Sequence, residues 1–535
     1  MIILIKKTVA AICGFLPFFL SAEEFARGFV FEDVNGNEVR DSGEKGIPGI
    51  GVSDGSNIVE TDAKGYWRLP VAEDVIYFVL KPSGWMVPLS KDLLPRFHYV
   101  HKPKGSPEGT KHAGVAPTGP LPKSIDFPLR KQEEPGKFSV VFFGDPQPRN
   151  QTEIDYIAHD VVEGLVGTKA KFGVTLGDIM FDDLSLFGSL NRTIALVGIP
   201  WYNVIGNHDL NFEADEDRFS DETFERVFGP PYYSFDFGKV HFLVLDNVEW
   251  GRRNDGRRHY VGNFGKRQLS FIKRDLARVP EDRLVVLSMH IPLNITKDNQ
   301  SLFRLIENRP YTISLSGHTH WQAHHFIDKH AGWKGKEPHH HIVNVTVSGS
   351  WWRGAKDHRG IPHSTMRDGA PNGHSVLTFD GHKATFDFQA AGKPADFQLR
   401  VHAPEEVAQA ELADTYVYVN VFAGSIKSKV RMRLSKGSKW IELRRTPEKD
   451  PWYVAMQQLE SQNKQVQAVN GATVSQHLWK GKLPEGLPTG QHLIEVVTTD
   501  MYGREFKGTR ILRVKQLLNE SRSLYHSYPA SRPNG

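Results

Sequence analysis

Cysteine is almost absent from this sequence: Cys13 is the one cysteine in 535 residues. It lies in an apolar stretch near the N-terminus that we expect to be removed, so the mature chain is predicted to have no disulfide. A small domain stapled by disulfides is therefore excluded, and so is a metal site built from thiolates. Stability has to come from hydrophobic cores or from bound metal.

The sequence also has no surplus of charge of one sign. Lys and Arg number 66 and Asp and Glu number 62, a balance that does not favour a nucleic-acid binder, and no nucleic-acid partner is expected. Beyond the first 25 residues no apolar run is long enough to span a bilayer, so no transmembrane segment is predicted.

The N-terminus has the pattern of an export signal. Lys6 and Lys7 precede an apolar stretch over residues 9–20, and the small residues Ser21 and Ala22 follow it. Residues 1–22 are therefore predicted to be a signal peptide, and the protein to be exported to the periplasm or secreted.

The rest of the chain divides into three parts by composition. Residues 23–132 are rich in Gly, Pro and short apolar runs, which is typical of a small β-sandwich. Residues 137–390 alternate apolar strands with helical stretches, which indicates an α/β domain. Residues 395–515 alternate apolar and polar side chains and predict a second β-sandwich, and residues 516–535 are expected to be a loose tail.

Five polar motifs stand at the ends of strands in the α/β part: "GDPQ", "GDIMFDD", "GNHD", "MHIP" and "GHTH". One fold can bring such strand ends to one edge of one sheet. Their side chains offer oxygen and imidazole ligands, a set that suits Mn, Fe, Zn or Mg. The residues concerned are Asp145, Gln147, Asp178, Asn207, His208, His290, His318 and His320.

The order of these motifs, D-x-(H/Q), GD, GNH(D/E), H and GHxH, resembles the calcineurin-like metallophosphoesterases over roughly residues 138–390. The first and third parts are similar to the N- and C-terminal domains of some bacterial members. The resemblance implies a four-layer α/β/β/α core between two all-β sandwiches, and hydrolysis of phosphoric esters.

The resemblance also implies roles for individual residues. The first metal would be held by Asp145, Gln147, Asp178 and His320, and the second by Asp178, Asn207, His290 and His318. Asp178 would bridge the two ions, and a hydroxide between them would attack phosphorus. His208 would face the phosphate, and Asp182, rather than Asp183, would hold its ring. Gln147 stands where many relatives have His, so the first metal is expected to bind loosely and to lean toward Mn, Mg or Ca.

The segment "GSWWRGAKDHRGIPHSTMRDGAPNG" follows the last motif. Trp352, Arg353 and Asp368 are predicted to form a rim that stacks on a sugar or base and steadies a phosphate. The alternative is that the tryptophans are buried in a seam between domains.

A second candidate metal site lies in "DVNGNEVRDSGE". Its oxygen-bearing residues occupy positions 1, 3, 5, 9 and 12 of a calcium loop, although Glu38 stands where Gly is expected. The stretch resembles calcium-binding B-type repeats of bacterial surface proteins, and an ordinary polar turn is the alternative. The residues are Asp33, Asn35, Asn37, Asp41 and Glu44.

These observations predict an exported phosphoesterase with two divalent metal ions, acting on a small-molecule, glycan or lipid phosphate ester. One alternative is a phosphodiesterase or pyrophosphatase acting on a nucleotide, lipid or glycan phosphate. The other is a surface-binding protein with a degenerate core that does not catalyse. The natural substrate and the identity of the metals are left open.

Overall fold

The structure is a computed structural model that describes residues 24–253, 255–435 and 437–516. The predicted signal peptide lies outside these residues, and so does the predicted tail apart from its first residue. Within the described ranges no helix is long and apolar enough to cross a membrane.

Two four-stranded sheets make up the N-terminal part, with the strand orders β4-β1-β8-β6 and β3-β2-β5-β7. They pack face to face, with the rings of Trp67 and Tyr77 5.7 Å apart across the interface. The strands are β1 (Phe25–Glu32), β2 (Gly51–Ser53), β3 (Ile58–Glu60), β4 (Tyr66–Pro70), β5 (Val75–Val79), β6 (Trp85–Met86), β7 (His98–His101) and β8 (Phe127–Lys131).

The central part holds a five-stranded and a six-stranded sheet. The elements are β9 (Lys137–Phe143), α1 (Gln151–Ile157), β10 (Phe172–Leu176), α2 (Phe187–Ala195), β11 (Trp201–Val204), α3 (Glu222–Phe228), β12 (Tyr233–Phe237), β13 (Val240–Val244), β14 (Val248–Arg252), β15 (Arg258–Gly262), α4 (Gly265–Leu276), β16 (Leu284–Ser288), α5 (Asn299–Ile306), β17 (Thr312–Ser316), β18 (Ala323–Ile327), β19 (His339–Val343), β20 (Gly373–Asp380) and β21 (Lys383–Ala390). The sheet orders are β11-β10-β9-β20-β21 and β12-β13-β16-β17-β19-β18, and β14 pairs with β15 in a separate ribbon.

Strand β9 shows how the sequence builds these layers. Its alternate residues Phe138, Val140 and Phe142 pack into the core that the two central sheets share. Val141 and Phe143 point to the other face, where they join a core that includes residues of α1 and α2. Because side chains alternate across a strand, one apolar run covers both faces of a buried strand.

The C-terminal part is again mostly β. Its main sheets have the orders β22-β24-β30-β27 and β23-β32-β31-β25-β26, and they enclose a separate hydrophobic core. The elements are β22 (Leu399–His402), β23 (Glu406–Ala408), β24 (Tyr416–Val421), β25 (Lys429–Leu434), β26 (Ile441–Glu442), β27 (Arg444–Arg445), β28 (Glu448–Lys449), α6 (Pro451–Gln462), β29 (Val474–Ser475), β30 (Leu478–Lys482), β31 (Gly490–Thr499) and β32 (Glu505–Lys515). The predicted fold class, an α/β core between β domains, is confirmed.

Strand direction explains where polar chemistry gathers. Strands β9, β10 and β11 run parallel in one central sheet, and β13, β16 and β17 run parallel in the other. The carboxyl ends of parallel strands meet at one edge, where loops carry functional groups in α/β folds. The loops after β9, β10, β11, β16 and β17 contain the five polar motifs.

Candidate metal centre

The predicted metal ligands sit on strained backbone immediately after the strands. Five of the seven have a positive φ although none is glycine: Asp145, Gln147, Asp178, His318 and His320, with φ between 40° and 75°. Left-handed backbone costs a residue with a Cβ roughly 1–2 kcal/mol. Such strain persists where the surrounding structure holds it and gathers at functional sites.

Three side chains converge most closely. Ligand atoms of Asp178, His290 and His318 all lie within 4.8 Å of one another, and no other group of three His, Cys, Asp or Glu within the described ranges meets that criterion. His290 Nε2 lies 3.2 Å from Asp178 Oδ1 and 3.0 Å from Asn207 Oδ1. His318 Nδ1 lies 3.2 Å from the same Nε2. The other His290 nitrogen, Nδ1, donates to the Leu176 carbonyl, so Nε2 faces this cluster.

A second group lies on the other side of Asp178. Gln147 Nε2 donates to Asp178 Oδ2 at 2.7 Å, while Gln147 Oε1 is buried and has no hydrogen-bond partner among the described residues. His320 Nε2 lies 3.7 Å from Asp145 Oδ1, and His320 Nδ1 donates to the Gly349 carbonyl. A buried acceptor without a donor is costly, and a cation would satisfy it. The residues present therefore fit a divalent ion.

The electrostatics of the cluster are those of a cation site. Burial raises the pKa of Asp145 to about 8, with His290 lowering it and Asp178 raising it further. Burial lowers the pKa of His318 to about 4 and that of His320 to about 3, so these rings are neutral and keep a lone pair. Burial also opposes a charged His290, but the charge and hydrogen bond of Asp178 outweigh it and raise its pKa to about 9. Asp178 therefore favours positive charge at His290 Nε2, the nitrogen that faces the cluster.

Glycines let the ligand loops approach each other. A Cβ on Gly317 would overlap the Asp145 carboxylate, and one on Gly206 would overlap the backbone of Asp178. These two positions explain why Gly precedes the functional residues in "GHTH" and "GNHD".

Sequence reasoning missed two buried residues that hold the loops. The Asp209 carboxylate accepts hydrogen bonds from the backbone N–H groups of Ile179, Met180 and Gly206, and so ties the Asp178 loop to the Asn207 loop. Asn247 Oδ1 accepts from the backbone N–H of His290 and of the residue after it. Asp209 was visible as the last letter of "GNHD", whereas nothing in the sequence marks Asn247.

His208 lies beside the cluster, partly open to solvent. Its Nδ1 lies 2.6 Å from Asp182 Oδ1, and its backbone N–H donates to Asp178 Oδ1. Burial lowers the pKa of His208, but Asp178 and Asp182 outweigh it and raise the pKa to about 9. The ring of Phe181 stacks on the imidazole at 4.5 Å. The structure thus brings His208 and Asp182 together at the edge of the candidate centre.

The predicted substrate rim needs correction. Trp352 is 3% exposed, belongs to a hydrophobic core, and donates from Nε1 to the Pro146 carbonyl. Asp368 is fully buried, and Arg353 donates to Asn470 in the C-terminal part. Burial removes Trp352 and Asp368 from contact with substrate, so the seam alternative describes them better. Trp351, the neighbour, stacks on His320 with ring centroids 3.9 Å apart.

Asp368 instead joins the site to the C-terminal part of the chain. Its Oδ2 accepts from the backbone N–H of Gln322 at 2.7 Å and faces His477 Nε2 at 2.9 Å. His477 Nδ1 faces Asn420 Oδ1, and Asn420 Nδ2 donates to the Asp368 carbonyl and to Asp450. This buried network secures the chain two residues after His320.

The predicted calcium loop closes on itself through hydrogen bonds. The Asp33 carboxylate accepts from the backbone N–H groups of Gly36 and Glu38, and Asp41 Oδ2 accepts from the amides of Asn35 and Asn37. Both Glu44 oxygens accept backbone N–H groups, from Val34 and Asp41. The carboxylates of the loop thus have hydrogen-bond partners within the loop itself, and calcium binding stays a prediction.

Comparison with known proteins gives three family matches that follow one another along the chain. The model described as "N terminal of Calcineurin-like phosphoesterase" matches residues 32–113, "Calcineurin-like phosphoesterase" matches 138–322, and "C terminal of Calcineurin-like phosphoesterase" matches 341–506. No curated protein matches. Among solved structures, a purple acid phosphatase isolated from yellow lupin (Lupinus luteus) seeds is 13% identical, with 64% of this chain and 67% of that chain covered and a TM-score of 0.34.

Proposed function

This chain belongs to the calcineurin-like phosphoesterase family and is a metal-dependent hydrolase of phosphoric esters, and from this premise we propose that it is an exported enzyme with a dinuclear centre. The family implies a small-molecule phosphate ester as substrate. The number of ions, the roles of single residues and the export of the protein are parts of the proposal.

One observation carries the proposal of two ions: the two carboxylate oxygens of Asp178 face two different proposed ligands, the imidazole of His290 and the amide group of Gln147. Oδ1 lies 3.2 Å from His290 Nε2, and Oδ2 lies 2.7 Å from Gln147 Nε2. A carboxylate placed between two proposed ligand sets would be able to offer an oxygen to each of two ions.

In this proposal one ion is held by Asp145, Gln147, Asp178 and His320, and the other by Asp178, Asn207, His290 and His318. The unpaired Oε1 of Gln147 is the atom that would bind. Divalent ions there supply positive charge for the phosphoryl oxygens and lower the pKa of water, which is the chemistry that phosphoester hydrolysis needs. Oxygen ligands at the Gln147 side favour Mn or Mg over Zn.

His208 is proposed as the proton donor to the leaving oxygen. Asp182 lies 2.6 Å from Nδ1 and fixes the ring, so Nε2 is the nitrogen left to meet the substrate. The side chain of His208 is 25% exposed, whereas His290 is fully buried, so His208 is reachable from solvent. A positioned acid of this kind contributes about 10²–10⁴-fold to the rate.

Export rests on the N-terminal sequence, in which Lys6 and Lys7 precede an apolar stretch and small residues follow. We propose cleavage near Ala22 and a periplasmic or secreted enzyme. Mass spectrometry of the protein from the extracellular or periplasmic fraction tests this: a mature N-terminus close to residue 23 is expected, and an intact Met1 in the cytoplasmic fraction would contradict it.

Hydrolysis of a monoester and a diester of the same phenol by metal-reconstituted protein tests the catalytic proposal. We expect turnover of at least one ester, a loss of about 10²–10⁴-fold for His208→Ala, and near-complete loss for Asp178→Asn. The ratio of the two rates assigns monoesterase or diesterase activity.

Two surface variants serve as matched controls. His330 and Asp396 are exposed and lie outside the candidate centre, so His330→Ala and Asp396→Asn should keep full activity. Full activity in both His208→Ala and Asp178→Asn would mean that the centre is misplaced. Absence of both bound metal and hydrolysis in the wild type would favour the binding protein without catalysis.

A further inference from the structure

Two aromatic rings stack on histidines of the candidate centre. Trp351 lies on His320 with ring centroids 3.9 Å apart and planes 23° apart. Phe181 lies on His208 at 4.5 Å and 24°. The two rings come from different loops, one after β10 and one after β19. Each imidazole covers one face of its aromatic partner.

These rings are not part of the packed interior. Both are partly exposed, and neither belongs to a hydrophobic core among the described residues, whereas the next residue, Trp352, is 3% exposed and lies in one. Each ring therefore keeps part of its apolar surface open beside a histidine of the candidate centre. Partly open aromatic rings next to a few converging polar groups are a lining that small-molecule sites use.

The backbone that presents Trp351 is strained. Trp351 and Trp352 have φ values of 56° and 55°, two left-handed residues in succession with bulky side chains. Specific bonds hold them: Arg149 Nη2 donates to the Trp351 carbonyl at 2.8 Å, and Trp352 donates through its backbone to Ser348 and through Nε1 to Pro146. Strain maintained by such contacts is a feature of binding and catalytic sites.

Arg149 contacts both of the residues that carry these rings. Its guanidinium carbon lies 5.9 Å from the centre of the Phe181 ring, while its Nη2 bonds the Trp351 carbonyl. Its charge is paired with Glu153, whose Oε1 lies 2.9 Å from Arg149 Nε and 2.7 Å from Nη2. Arg149 thus ties the Phe181 ring to the Trp351 backbone, and its own charge is already neutralised by Glu153.

We propose that Trp351 and Phe181 form a subsite for the leaving group of the ester, and that this subsite selects leaving groups with a flat apolar face, such as an aromatic ring or the face of a sugar. The inference rests on the proposed function, because Phe181 lies against His208, the proposed proton donor to the leaving oxygen. Phe181 and Trp351 are thus specificity-determining residues, while the metal ligands act on the phosphoryl group.

Three monoesters test the subsite: phenyl phosphate, glucose 1-phosphate and ethyl phosphate. Each variant is compared with the wild type on the same ester, so differences in leaving-group reactivity cancel. We expect Trp351→Leu to lower kcat/KM about tenfold for an ester with a flat leaving group, mainly through KM, and to leave ethyl phosphate within about twofold. Trp351→Phe should recover most of the loss, and Phe181→Leu should act in the same direction.

Trp440→Leu is the matched control, because Trp440 is 36% exposed and lies in the C-terminal part on two arginines. It should change no substrate preference. A loss only with phenyl phosphate assigns an aromatic leaving group, and a loss only with the sugar phosphate assigns a sugar.

An equal loss for all three esters would overturn the inference, since it would mean that Trp351 acts only through its metal-binding partner His320. Unchanged preference in both Trp351→Leu and Phe181→Leu would overturn it as well. Failure of the proposed function has a different signature, because the wild type itself would then hydrolyse none of the esters.

Discussion

Replacing His477 by Ala should lower the metal affinity of the candidate centre, although His477 is not one of its proposed ligands. His477 is fully buried between Asp368 Oδ2, at 2.9 Å, and Asn420 Oδ1, at 2.8 Å. The same Asp368 oxygen holds the backbone N–H of Gln322, two residues after the proposed ligand His320. The substitution removes one hydrogen-bond partner of a buried carboxylate and leaves a cavity beside it.

The size of the effect follows from these contacts. The Asp368 carboxylate keeps the backbone N–H groups of Gln322 and Ala370 but loses one hydrogen-bond partner. Such a loss costs about 1–3 kcal/mol, and we expect the free energy of unfolding of the metal-free protein to fall by about 2 kcal/mol. Residues that support ligands in this indirect way typically change metal affinity 10–100-fold. We therefore expect His477→Ala to lower the affinity for one of the two proposed ions by that factor and to leave the affinity for the other unchanged.

Titration of metal-free protein with Mn²⁺, followed by calorimetry, measures this directly. His330→Ala, on the exposed surface, is the control and should bind like the wild type. Two unchanged affinities, together with a shift in unfolding below about 1 kcal/mol, would refute the reasoning. Destabilisation with both affinities unchanged would show that the network supports only the fold.

Three further predictions concern single residues. Gln147→His should tighten the first ion, because imidazole is the stronger ligand, and an unchanged affinity in the Mn²⁺ titration would mean that Gln147 does not bind metal. Gly317→Ala should abolish hydrolysis by displacing the Asp145 carboxylate, while a circular dichroism spectrum like that of the wild type shows that the fold persists. Burial lowers the pKa of His241, but the neighbouring carboxylates of Asp275 and Asp236 outweigh burial and raise the pKa to about 9. The charged His241 therefore contributes on the order of 3 kcal/mol to the free energy of unfolding, and this contribution is complete below pH 6.5 and is lost as the pH rises through 9. Denaturant melts should show this loss in the wild type and not in His241→Leu.

Much of the candidate centre could be predicted from the sequence, because several of its proposed ligands occur at the same short distance after a strand. Asp145 and Asp178 each stand two residues after the end of a parallel strand, and so do His290 and His318. The strand, the turn and the polar residue lie within a few positions of one another in the sequence. The parallel sheet then brings the loops to one edge.

Residues that support the centre were harder to predict because their partners are distant in sequence. Asp368 and His477 are separated by 109 positions, and no local pattern joins them. The rim prediction for Trp352 failed for another reason. Trp351 and Trp352 both have a positive φ, and a positive φ in tryptophan cannot be read from the sequence.

In the proposed centre Asp178 would serve two divalent ions at the edge of the central sheets. The metal content of the wild type and of Asp178→Asn, after saturation with Mn²⁺ and removal of free ion, measures this. We expect two ions per wild-type chain and at most one, weakly held, in the variant. Equal metal content in the two proteins, or no bound ion in the wild type, would mean that Asp178 does not hold two ions.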